Sequence, residues 1–128
     1  MSLSLHESGQ MYLETILVLS KESSHVRAID VGEHLGYSKP SVSRALSILK
    51  KDGYVTVNAD GYITLTESGY HVAESMYQRH LVISRMLVCL GVSEEIAAED
   101  ACRIEHIISE ESFEAMKAHL TRIENAAK

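Results

Sequence analysis

A mainly α chain carrying one small β-wing is the fold class this sequence predicts, and three observations predict it. Apolar residues recur at helical spacing over most of the 128 residues. Two short β-rich runs, residues 54–57 (Tyr-Val-Thr-Val) and 62–65 (Tyr-Ile-Thr-Leu), flank a four-residue link with an Asp-Gly step, the signature of a hairpin. The single proline, Pro40, falls in the first turn of a predicted helix, where a missing N–H costs nothing.

Residues 7–22 are predicted as the first helix, with Leu13, Ile16, Leu17 and Ser20 on one side and Tyr12 and Leu19 flanking. Ser23, Ser24 and His25 break it. Residues 27–35 form a short helix with Ile29, Val31 and Leu35 as apolar points, and Gly36-Tyr37 supplies a turn. Ser38 is a good N-cap for the next helix. That helix buries Val42, Ala45, Leu46 and Leu49, presents Pro40, Arg44, Ser47 and Lys51 on the other side, and stops at Asp52-Gly53. The hairpin follows. Helix, short helix, turn, helix and hairpin is the order of a winged helix-turn-helix.

Thr66 caps a long helix that runs to about Leu90, where Gly91 offers a left-handed stop. After Val72 this helix is apolar on most sides, through Ala73, Met76, Tyr77, Leu81, Val82, Ile83, Met86, Leu87 and Val88. A helix apolar nearly all round is buried, and in so small a chain the expected cover is a second copy. Residues 93–108 read as the next helix, with Ser93 as N-cap and Glu94 and Glu95 favourable to its dipole. Ser109 opens a last helix with the stripe Phe113, Met116, Leu120 and Ile123. The expected organisation is an N-terminal winged helix-turn-helix over residues 1–71 and an all-helical metal-binding and dimerisation domain over 72–128.

The net charge of -6 argues against non-specific nucleic-acid binding, yet residues 38–51 carry Lys39, Arg44, Lys50 and Lys51 and no acid. One basic helix on an acidic protein suits a reader that needs specific contacts and must let go. Pro40, Ser41, Ser43 and Arg44 are placed to approach base edges; Lys39, Lys50 and Lys51, with Arg27 from the preceding helix and Ser38 at the cap, are placed near the backbone. The longest apolar run, residues 86–90, is far too short to span a bilayer. No signal peptide is evident. Two cysteines, Cys89 and Cys102, make no disulfide framework, and a reducing cytoplasm is the expected compartment.

Cys102, Glu105 and His106 form a C-x-x-E-H cluster in the predicted fifth helix. Spaced by one turn, they project from one face. Thiolate, carboxylate and imidazole are common metal ligands. One helix cannot surround an ion, so others must contribute: Met11 and Glu14 form an i, i+3 pair, and His80 sits within the long apolar helix. Each has a plainer reading. Cys102 alone is a small buried hydrophobe, Met11 is packing, Glu14 is a surface carboxylate, and His80 is a satisfied core histidine. His6, His25, His34, His71 and His119 have only the plain reading, and Glu94, Glu95, Glu99 and Asp100 form a solvated acidic face.

The whole chain resembles the diphtheria toxin repressor family of metal-dependent regulators, which includes the manganese transport regulators. The resemblance rests on Met11-Tyr12-Leu13-Glu14, residues 38–44 (Ser-Lys-Pro-Ser-Val-Ser-Arg), Leu65-Thr66-x-x-Gly69, Arg79-His80 and residues 101–106 (Ala-Cys-Arg-Ile-Glu-His). It implies a dimeric repressor of metal-uptake genes that binds operator DNA when loaded with Fe(II) or Mn(II), with Co, Ni and Zn as surrogates. It makes Met11, Cys102, Glu105 and His106 the primary site of the iron-responsive branch. Glu14 and His80 match ligands of the manganese branch, which has Asp in place of Met11 and Glu in place of Cys102. His80 also matches an ancillary-site ligand of the iron branch, but the other matching positions hold Ser84 and Ala98. No C-terminal SH3-like domain is expected.

Thioether and thiolate are soft donors and disfavour Mn(II) relative to Fe(II), Co(II), Ni(II) or Zn(II). Fe(II) is therefore the favoured cofactor, with Mn(II) and Zn(II) behind it. The alternative is a metal-independent dimeric winged-helix regulator in which the Cys/Glu/His cluster is merely packed. An enzyme using Cys102 and His106 is disfavoured, because two side chains on one helix face leave no substrate cleft between them.

Overall fold

The computed structural model describes residues 7–127; His6 lies outside the described residues. The elements are α1 (Glu7–Glu22), α2 (Ala28–Leu35), α3 (Lys39–Lys51), β1 (Val55–Val57), β2 (Ile63–Leu65), α4 (Glu67–Cys89), α5 (Glu94–Ile104) and α6 (Glu110–Ala126). The chain divides into two compact units, Met1–Ser75 and Met76–Lys128, so the division falls within α4. No helix among the described residues is long and apolar enough to cross a membrane.

In the first unit, α1 packs against α2, α3 and β2. Leu13, Ile16, Val31, Val42, Leu49, Val55 and Ile63 form its core. The buried arc of α1 includes Thr15, while Ser20, which the sequence places on the buried side, is exposed. Three neighbours widen the arc at mid-helix, whereas Ser20 lies in the last turn. Ile29 is likewise 63% exposed, against expectation. It lies two residues from Val31, about 200° around a helix, so the two cannot share one core, and Val31 is the one buried.

Ser38 caps α3, its hydroxyl accepting from Ser41 N at 3.3 Å, with Pro40 in the first turn. The strands pair antiparallel in the register Val55↔Leu65, Thr56↔Thr64 and Val57↔Ile63. Each is one residue shorter than its β-rich run. Asn58 closes the turn, its side-chain oxygen accepting from Asp60 N and Tyr62 N, both at 2.9 Å, and Gly61 takes φ 84°. Ile63 N also donates to Val26 O at 2.8 Å, tying the wing to the loop before α2. Thr66 starts α4: its hydroxyl donates to Gly53 O at 2.6 Å and accepts from Gly69 N at 3.1 Å.

In the second unit, Val82 of α4 packs with Phe113 and Leu120 of α6, and Met86, Ile108 and Met116 border them. Gly91 takes φ 104°, the left-handed stop expected after α4. Ser93 and Ser109 cap α5 and α6 through bonds from Ile96 N and Ser112 N. The predicted helix over residues 93–108 is shorter than expected: α5 ends at Ile104, and residues 105–107 turn. Glu105 N still bonds Ala101 O at 2.9 Å, but His106 N and Ile107 N turn to Arg103 O and Ile104 O, the tighter pattern of a closing turn. Among the long helix's apolar residues, Ala73, Met76, Val82 and Ile83 are buried within the single chain, whereas Val88 and Leu90 are exposed, as are Ile96 and Ile107 on the segment that follows.

Candidate metal centre

Glu105 is the most buried of the candidate ligands. Its side chain is 0% exposed. Burying an ionised carboxylate is costly unless it is paired, hydrogen-bonded or bound to a metal. Two imidazoles flank it. His80 Nδ1, from α4, lies 3.0 Å from Glu105 Oε1, and His106 Nε2 lies 3.4 Å from Glu105 Oε2. The His106 side chain is also 0% exposed, and that of His80 is 27% exposed.

The spacing suits a metal as well as a proton. Two donors about 2.1 Å from one ion, at angles between octahedral and tetrahedral, stand roughly 3.0–3.4 Å apart. The two imidazoles meet different oxygens of Glu105, and each imidazole–carboxylate pair is a donor set that suits first-row divalent ions. His80, read alone as a core histidine, is therefore brought to the carboxylate by the packing of α4 against the end of α5.

Cys102 departs from its reading as a small buried hydrophobe, since it is exposed. It lies one turn before Glu105, which keeps helical dihedrals (φ -57°, ψ -27°) and its bond to Ala101 O, so the two stand on one helical surface with Cys102 exposed and Glu105 buried, while His106 lies in the closing turn. Met11 and Glu14 are both half-buried on α1. Met11 Sδ accepts a bond from the Tyr37 hydroxyl at 3.4 Å, which ties the thioether to the turn before α3.

The proposed DNA-contacting residues are all exposed: Arg27, Ser38, Lys39, Pro40, Ser41, Ser43, Arg44, Lys50 and Lys51. The Ser38 hydroxyl is engaged as a cap and also donates to Ser41 Oγ at 2.9 Å. Arg27 lies over the Tyr62 ring at 4.7 Å and donates to its hydroxyl at 3.3 Å, so the wing holds it. That support was not legible in sequence, where the two are 35 residues apart.

The comparisons with known proteins fit this geometry. Residues 4–62 match the N-terminal DNA-binding domain of the iron-dependent repressors, and residues 66–127 match their metal-binding and dimerisation domain. The transcriptional regulator MntR of Escherichia coli is 35% identical over 83% of this chain and 68% of its own length. The iron-dependent repressor IdeR of Mycobacterium tuberculosis is 34% identical over 84% of this chain, which spans only 47% of that relative. A manganese-dependent transcriptional repressor solved with manganese superposes with a TM-score of 0.83 at 28% identity, over 88% of this chain and 52% of that one. Two matched domains covering nearly all of the sequence, with a curated relative that shares most of its length, place this chain in the iron-dependent repressor family of metal-dependent transcriptional regulators.

Proposed function

We propose that this protein represses metal-uptake genes by binding operator DNA as a homodimer when loaded with a divalent transition metal, with Fe(II) favoured over Mn(II) and Zn(II). The observation that carries the proposal is a wholly buried Glu105 set between two imidazoles, within the segment matched as metal-binding. His80, Glu105 and His106 would hold the ion, and Met11, Glu14 and Cys102 would complete its ligands. When bound, the ion would add positive charge beside the buried Glu105 carboxylate and link its donors.

The proposed route to DNA runs through α1. Met11 and Glu14 lie on α1, which packs directly on α2 and α3. Holding α1 therefore biases the placement of the recognition helix α3, with Arg44 facing bases and Lys39, Lys50 and Lys51 facing phosphates. A coupling of about 1–3 kcal/mol would change DNA affinity roughly 5–150-fold. Residues 72–128 pair the two copies, covering apolar surface such as Leu90 and Ile107.

Met11 and Cys102 are the soft donors that favour Fe(II), while the carboxylates keep Mn(II) in contention. The test is an anaerobic anisotropy titration with duplex DNA selected from a random library. Tightening with Fe(II), weaker tightening with Mn(II), and none with chelator support the proposal. DNA binding unchanged by any metal would establish the metal-independent reading instead.

A further inference from the structure

We propose that Arg79 is a positioning residue of the metal centre, clamping the turn that carries Glu105 and His106. The proposal rests on the metal-binding function above. Arg79 Nη1 donates to Glu105 O at 3.1 Å and to Ile108 O at 2.8 Å. Its Nη2 pairs with Glu110 Oε1 at 2.9 Å. The guanidinium lies over the Phe113 ring, 5.3 Å from its centre, and only 12% of the side chain is exposed.

The two carbonyls it binds open and close the turn between α5 and α6. Carbonyls at a helix C-terminus lack intrahelical partners, and a buried one left unsatisfied costs the full desolvation of that group. Arg79 satisfies them and fixes the distance between them. Glu105 is thereby held at the end of α5, where its carboxylate meets the imidazoles. His80 is the next residue on α4, so one turn of helix sets both the clamp and one ligand. A planar guanidinium spans two carbonyls and a carboxylate in a fixed fork, which an ammonium does not reproduce.

The sign of the effect distinguishes this role from a purely electrostatic one. A cation beside the site opposes binding of a second cation. Removing the charge of Arg79 would then tighten metal binding if charge were its whole effect. A positioning role requires the reverse, and loss of supporting bonds around metal ligands typically costs about 10–100-fold in metal affinity.

The experiment uses the full chain with Arg79→Gln and Arg79→Lys, measured by anaerobic Co(II) titration followed by absorbance and by hydrogen exchange of the metal-free protein. Wild type and Glu105→Gln form a separate arm. If wild type takes up no Co(II), the proposed function itself fails. Given wild-type binding, both Arg79 variants should bind Co(II) about 10–100-fold more weakly. Faster exchange should be confined to residues 105–110, with residues 7–65 unchanged. Unchanged or tighter Co(II) binding by Arg79→Gln would overturn the clamp. Should Arg79→Gln fail to fold, Arg79→Lys decides: wild-type affinity and exchange in that variant also overturn it.

Discussion

Replacing Gly69 by alanine should destabilise the protein, although alanine is the better helix former. Gly69 lies in the first turn of α4, where a Cβ would stand 3.0 Å from the carbonyl carbon of Tyr54 and closer still to its oxygen. That oxygen cannot simply move away, because it accepts from Thr66 N at 3.0 Å. The Thr66 hydroxyl in turn bridges Gly53 O and Gly69 N. Overpacking of this kind costs about 1–3 kcal/mol, and breaking the Thr66 N–H bond adds about 1 kcal/mol. The helix-propensity gain of alanine, about 1 kcal/mol, offsets part of it. The net loss is about 1–3 kcal/mol, or roughly 4–12 °C in Tm for a chain of this size. Thermal unfolding followed by circular dichroism reads this directly. A Gly69→Ala variant as stable as wild type, or more stable, would refute the close approach between α4 and the residue before β1.

Three further predictions test DNA contact, assembly and metal choice. Arg44→Ala should weaken operator binding and blur base preference, whereas Lys51→Ala should weaken all sequences alike and lower the salt slope by about 1; binding across a set of duplexes at several salt concentrations separates the two. The metal-free protein should sediment as a dimer at micromolar concentration, because Leu90 and Ile107 are exposed in the single chain, and a monomer would contradict assembly through residues 72–128. Exchanging Met11 for Asp and Cys102 for Glu replaces two soft donors by hard ones, so the ratio of Mn(II) to Fe(II) activation should rise; an unchanged ratio would show that these two residues do not set metal choice.

What could be read from the sequence was local. Ser38, Ser93 and Ser109 announce helix starts because an N-cap acts over three residues, and each accepts the expected backbone bond. The wing was legible because alternation and the Asp-Gly step are short-range signals. The end of α5 was not. Residues 105–108 continue a helical pattern, and the bond from Arg79 to Glu105 O there spans 26 residues of sequence, beyond the reach of any local signal. The Ser109 cap, so close behind, was the one local hint that the helix had to end early. The contact between His80 and Glu105 spans 25 residues of sequence, so the ligand candidates could be named in sequence but not arranged.

Metal-dependent DNA affinity in wild type and His106→Ala, compared in one anaerobic anisotropy experiment with and without Fe(II), tests the central claim most directly. Wild type should tighten on DNA by roughly 5–150-fold on adding the metal. His106→Ala should remain a folded dimer with the metal-free affinity, unmoved by Fe(II). An Fe(II) response in His106→Ala equal to that of wild type would contradict the assignment of the site at Glu105.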